Sequence, residues 1–226
     1  MSVWFSAGTL VVGHRGGRGE GWPPENTLPA FEQAVAQGAG AIELDVRTCG
    51  TGEIVVHHDP TGATRAQLRA RGVPGLDDVL DWARSAGVAV NVELKHDVPS
   101  RRLLVDRVGR LLRRTEVDVL LSSFDPVLLA AAAVVAPRFR RALLTSRDQR
   151  RRVPRALARL PYVHAIHIER TETAPAVVAG HLGRGLRVGV WTVNDPREAR
   201  DLEALGVETI ISDAAGALLG ELTPRR

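Results

Sequence analysis

Residues 88–136 read VAVNVELKHDVPSRRLLVDRVGRLLRRTEVDVLLSSFDPVLLAAAAVVA, and they hold two successive strand–helix units. Val88–Leu94 is a near-continuous apolar run of strand length, as expected of a parallel strand buried on both faces. Arg101–Arg114 has helical spacing, with Leu103, Leu104, Val108, Leu111 and Leu112 on one face. Val119–Ser123 is the next strand. Pro126–Ala136 is an apolar helix, begun by a proline tolerated in the first turn and stopped before Pro137.

The same alternation runs outward in both directions. Leu10–Gly13 and Ala41–Val46 read as strands, with a helical segment at Asn26–Gln37 between them, and Leu76–Ala86 is helical. Ala142–Thr145, His164–Ile168, Arg187–Val193 and Glu208–Ser212 read as strands, with the intervening segments and the tail after Asp213 read as helices. Ile54–His58 is a further short strand set aside from this series. Eight strand–helix units in 226 residues fit a small α/β fold, a (β/α)8 TIM barrel in one domain spanning 1–226. A doubly wound open sheet is the competing architecture. It normally carries a glycine-rich phosphate loop leading into a helix, and His14–Gly21 (HRGGRGEG) does not lead directly into one.

Composition excludes several classes. The chain is 44% hydrophobic, too apolar for a disordered protein. The longest strongly apolar run without charge, Val127–Ala136, is half the length of a membrane span, so no integral membrane segment is expected. The net charge of +4 comes from 30 basic and 26 acidic residues. The basic residues are scattered over several segments and are not interleaved with aromatics, so nucleic acid is not an expected partner. The single cysteine, Cys49, permits no intrachain disulfide, and a cytoplasmic location is the expectation. The N-terminus lacks the charged region and cleavage site of a signal peptide and reads as the start of the fold.

In a barrel the site lies at the C-terminal ends of the strands. His14-Arg15-Gly16 ends the first strand, Glu43 and Asp45 lie two apart on the second, and Glu93 and Lys95 lie two apart on the third. Residues two apart share a strand face, so three carboxylates converge on one mouth. A hard divalent cation with oxygen ligands would offset their repulsion; so would pairing with Arg15, Arg47 or Lys95. Both readings stay open at this point. His14 and His58 flank the cluster and have the chemistry of a general acid and base. Lys95 is the only lysine, retained beside the carboxylates in a chain that otherwise uses arginine. His57 alternates to the face opposite His58, and His164 and His167 are on opposite faces of one strand. Asp125 and Asp195, each before a proline, read as helix caps. Glu169, at a strand end, is a further candidate for the mouth.

The ordered set HRG (14–16), PENT (24–27), IELDV (42–46), VVHHD (55–59), VELK (92–95), SSFD (122–125), VWTVN (190–194) and IISD (210–213) resembles the glycerophosphodiester phosphodiesterase family. The resemblance implies a (β/α)8 barrel that hydrolyses small glycerophosphodiesters to glycerol 3-phosphate and an alcohol, using Ca²⁺ or Mg²⁺. It assigns Glu43, Asp45 and Glu93 as metal ligands and His14 and His58 as the acid–base pair. Arg15 and Lys95 would contact the phosphate. Phe124 and Trp191 would line the glycerol side. Glu25 and Asn26 would brace the site, Asn26 also being placed to cap the first helix. Two features depart from the family pattern. Thr51-Gly52 stands where Asp-Gly is usual, and the segment between Asp59 and Leu76 is short, with Ala63-Thr64-Arg65 a remnant of a longer covering motif. A phospholipase D-like action on lysophospholipids and a non-catalytic binding barrel are the rival functions.

Overall fold

The computed structural model describes residues 2–147 and 161–222. Within them the strands are β1 (Leu10–His14), β2 (Ala41–Thr48), β3 (Ile54–Val56), β4 (Ala89–Leu94), β5 (Val119–Ser123), β6 (Arg140–Thr145), β7 (Ala165–Glu169), β8 (Arg187–Trp191) and β9 (Thr209–Ser212). The helices are α1 (Leu28–Ala36), α2 (Arg65–Arg69), α3 (Leu76–Ala86), α4 (Arg101–Leu112), α5 (Pro126–Val135), α6 (Pro175–Leu182), α7 (Pro196–Ala204) and α8 (Ala215–Leu219). The helix expected between Thr145 and His164 falls mainly on 148–160, outside the described residues.

All strands but β3 pair in parallel in the order β1-β9-β8-β7-β6-β5-β4-β2, and β1 also pairs with β2. The sheet therefore closes into an eight-stranded parallel barrel. Closure sets His14 opposite Glu43 and Gly13 opposite Ser212, which brings residues almost 200 positions apart to one rim. β3 runs antiparallel to β2, with Val46 opposite Val56. It lies outside the ring and makes a hairpin that returns the chain to the mouth.

Alternation along the strands sorts the core into two layers. Ile42, Leu44, Val46, Val90, Val92 and Leu94 belong to the large core shared with the helices. Leu10, Val12, Ala41, Ala89, Leu120, Ala142, Ala165 and Ile211 form a smaller cluster with Trp4. The small alanines leave room for Trp4, which is 2% exposed. Its segment is tied to the start of β5, because Asp118 accepts from Ser2 Oγ (2.9 Å) and from the Val3 amide (2.7 Å). As read from the sequence, Asp125 and Asp195 cap α5 and α7, each accepting a backbone amide at 2.8 Å. Asn26 is not the cap of α1; Thr27 holds that position, and the Asn26 side chain is committed elsewhere. Thr64 caps α2 in a reciprocal box with Gln67, and Arg65 pairs with Asp77 and Asp78. These residues of the short segment are thus structural.

His167, on β7, is fully enclosed, and Gly189 on β8 leaves the space for its ring; a Cβ there would lie 2.4 Å from His167 Cδ2. Desolvation pushes its pKa down to about 4. The unfolded chain, titrating near 6.5, binds more protons between these values, so stability rises with pH across that window. The contribution is complete above pH 6.5 and is lost as pH falls toward 4, to an extent of about 3 kcal/mol. His164, also lowered to about 4 by burial and by Arg141 and Arg140, acts in the same sense. Urea unfolding of His167→Gln between pH 7 and 4.5 should give a visibly flatter profile than the parent chain. An unchanged slope would remove His167 as a source of acid sensitivity.

Candidate active site

A cavity of about 310 Å³ opens at the C-terminal ends of the strands and is lined by His14, Arg15, Arg18, Glu43, His58, Asn91, Glu93, Lys95, Ser122, Phe124, Leu144, Trp191, Thr192 and Ile211. Of the residues singled out at the strand ends by the sequence, His14, Arg15, Glu43, Glu93 and Lys95 are in this wall. Asp45 stands behind, 1% exposed. Glu25 and Asn26 brace the wall. Glu169 does not join it; its Oε2 accepts the Arg147 amide at 2.9 Å. His57 turns away and bonds the Asp59 carbonyl through Nδ1 at 2.8 Å.

The turn after β1 carries the first group of side chains. Arg15 and Asn26 have left-handed backbones (φ 53° and 60°), and Gly16 has φ 88°. A Cβ on Gly16 would lie 2.7 Å from the Ala30 carbonyl carbon, so only glycine permits this approach to α1. For arginine, a left-handed backbone is a strained state that persists where the surroundings over-determine it. Here they do. The Arg15 amide donates to Glu43 Oε2 (3.0 Å), its carbonyl accepts the Asn26 amide (2.9 Å), and its guanidinium meets Glu25 Oε1 (2.8 Å) and Asp45 Oδ2 (3.1 Å). Asn26 donates to Asp45 Oδ2 (3.0 Å) and accepts the Asp45 amide (3.2 Å).

Glu43, Asp45 and Glu93 each offer one oxygen, all within 4.8 Å of one another, and all three residues are buried. Lys95 Nζ lies 3.1 Å from Glu93 Oε1 and 3.3 Å from Asp45 Oδ1, at ion-pair distance. Of the internal partners expected from the sequence, Arg15 and Lys95 pair with the cluster. Arg47 does not; it is turned to Asp97 at 3.1 Å. The three carboxyls differ. Burial, then the charges of Asp45 and Glu93, push Glu43 well above the usual carboxylate range. Burial and Asp45 push Glu93 up to about 7, against Lys95. Burial also raises Asp45, but Lys95 and Arg15 more than reverse it and leave it below its ordinary value. Two reluctant anions beside a stable one, with an oxygen of each within 4.8 Å of the others, form a donor set suited to a hard divalent cation.

Both histidines line the mouth, His14 at the end of β1 and His58 just after β3. His14 Nδ1 is 2.7 Å from Asp213 Oδ1, and its Nε2 is 4.0 Å from Glu43 Oε2. Asp213 is raised by burial but carried down to about 2 by its bond to and charge interaction with His14, with help from Asn194 and Arg18. Asn194 donates to Asp213 Oδ2 (3.2 Å) and accepts the Asp213 amide (2.9 Å). Arg18 reaches Asp213 Oδ1 at 3.1 Å. His58 Nδ1 bonds Asp59 Oδ1 at 2.8 Å. Phe124 and Trp191 meet edge-to-face at 5.5 Å and form an apolar side of the cavity, with Trp191 Nε1 donating to the His167 carbonyl (3.2 Å).

Asp213, Asn194 and Arg18 are the site residues that sequence reasoning passed over. Ser212-Asp213 and Asn194 were visible as strand ends. Their use depends on closure of β1 against β9.

The comparisons agree with this geometry. The chain matches the model of the "Glycerophosphoryl diester phosphodiesterase family" over residues 14–64 and 60–217. The YqiK protein of Bacillus subtilis (strain 168) is 33% identical over 93% of this chain and 98% of its own length. The glycerophosphodiester phosphodiesterase of Caldanaerobacter subterraneus subsp. tengcongensis is 25% identical over 93% and 96% of the two chains. The crystal structure of a protein from Silicibacter pomeroyi DSS-3, named for the same family, superposes with a TM-score of 0.83 at 26% identity, covering 96% of each chain. The barrel and its acidic mouth define a phosphodiesterase-type enzyme. The chain belongs to the glycerophosphodiester phosphodiesterase family.

Proposed function

We propose that the enzyme hydrolyses glycerophosphodiesters to glycerol 3-phosphate and an alcohol, with a divalent cation held by Glu43, Asp45 and Glu93. The observation that carries this reading is one buried three-carboxylate cluster flanked by two histidines and two fixed cations in a single cavity. Ca²⁺ or Mg²⁺ bound there supplies Lewis-acid stabilisation of the phosphate oxygens. Arg15 and Lys95 add preorganised positive charge facing the phosphoryl group. Asp213 holds the His14 imidazole by its Nδ1, which directs Nε2 toward the cavity. His14 and His58 move protons at the attacking and departing oxygens, one as base and the other as acid. Phe124 and Trp191 exclude water from the glycerol side.

A test of the bond broken is product analysis with glycerophosphoethanolamine. The reading requires glycerol 3-phosphate and ethanolamine. Glycerol and ethanolamine phosphate would contradict it. A second reading, action on lysophospholipids, draws on the apolar wall of Phe124, Leu144, Trp191 and Ile211. It requires release of the head-group alcohol from lysolipid micelles at a rate above that from water-soluble diesters.

A further inference from the structure

We propose that Arg47 is the positioning residue for His58, an inference that rests on the catalytic reading of that histidine. Arg47 follows Glu43 and Asp45 on the same face of β2, but it makes no use of their charges. It is 1% exposed. Burying a guanidinium is costly unless its donors are met, and the acceptors here are specific. Nε donates to the His57 carbonyl at 3.1 Å and Nη2 to the His58 carbonyl at 2.5 Å. Nη2 also lies 3.1 and 3.2 Å from the two oxygens of Asp97.

These contacts join two loops. His57 and His58 follow β3, and Asp97 follows β4, two residues beyond Lys95. The His58 imidazole is itself held by Asp59, whose side chain is 76% exposed, so that pair is a weak anchor. The firm anchor of the segment is its backbone: the His57 amide bonded to the Asp45 carbonyl at 3.0 Å, and its next two carbonyls gripped by Arg47. One planar fork thereby fixes the histidine's backbone relative to the strand that carries two of the carboxylates. Lysine, a point charge with no fork, cannot reproduce this geometry.

The test is a double-mutant cycle on glycerophosphoethanolamine hydrolysis, using Arg47→Met, Arg47→Lys and Asp97→Asn, each in the parent chain and with His58→Ala. A misplacement of a catalytic group by about 1 Å costs on the order of 10²-fold, so Arg47→Met should lower kcat by about that factor with KM little changed. Arg47→Lys should fall between, and guanidinium ion in the buffer should restore part of the loss in Arg47→Met. With His58→Ala already present, each substitution should add less than about twofold. Losses that multiply in the His58→Ala background would overturn the proposal. So would a full-rate, folded Arg47→Met. Should Arg47→Met not fold, the Asp97→Asn and Arg47→Lys cycles decide by the same criterion. Parent-like turnover in His58→Ala alone would overturn the functional reading, and with it this inference, and is seen separately from the cycle.

Discussion

Replacing His58 with alanine should lower turnover of glycerophosphodiesters by about 10²–10⁴-fold, the range for loss of a general acid or base. His58 lines the cavity, and its side chain is 37% exposed, open enough to exchange protons. His14→Ala should fall in the same range. The two variants should differ in one respect. The acid is needed most when the departing alkoxide is poor, so one variant should recover rate on a p-nitrophenyl diester and the other should not. This comparison assigns the roles. Steady-state kinetics on ethanolamine and p-nitrophenyl diesters provides the measurement. Parent-like turnover in either single variant would remove that histidine from the mechanism.

The second large effect concerns the carboxylates, which the electrostatics divides into unlike members. Asp45 is the anion held by Lys95, Arg15 and Asn26. Asp45→Asn leaves buried Lys95 and half-buried Arg15 each short of one partner, and breaking a buried pair costs about 3–5 kcal/mol; Glu93 still faces Lys95 and Glu25 still faces Arg15, which favours the lower end. Glu43 behaves differently. It is buried beside two other carboxyls and resists ionisation, so Glu43→Gln should leave the protein stripped by EDTA at least as stable as the parent. The order should reverse with Ca²⁺ or Mg²⁺, because a ligand stabilises only a chain that binds it. Urea unfolding with EDTA and with saturating cation checks both variants. Equal cation-induced stabilisation of the parent and Glu43→Gln would rule Glu43 out as a ligand. Because protonated carboxyls must ionise to ligate, cation binding should also release protons, seen as buffer-dependent heats.

Much of this arrangement was legible in the sequence for definite reasons. The strand–helix alternation gave the barrel because parallel strands buried on both faces read as apolar runs. The two-residue spacings at Glu43/Asp45 and Glu93/Lys95 gave the cluster because strand side chains alternate. What sequence order could not show was ring closure and loop traffic. Asp213 meets His14 only because β9 lies beside β1. Arg47 looked like a carboxylate partner because it shares their face; Arg15 and Lys95 occupy that position, and the β2–β3 hairpin brings two carbonyls within its reach instead. The resemblance implies that Asn26 braces the site and also caps the first helix, but Thr27 takes the cap. The left-handed turn at Arg15 and Asn26 turns the Asn26 side chain to Asp45.

The most direct measurement is release of glycerol 3-phosphate from glycerophosphocholine and glycerophosphoethanolamine by protein treated with EDTA, before and after Ca²⁺ or Mg²⁺ is restored. The account predicts negligible release in EDTA, recovery on adding back the cation, and no recovery in Glu43→Gln. Release at full rate in EDTA, or none with either cation from folded protein, would contradict it.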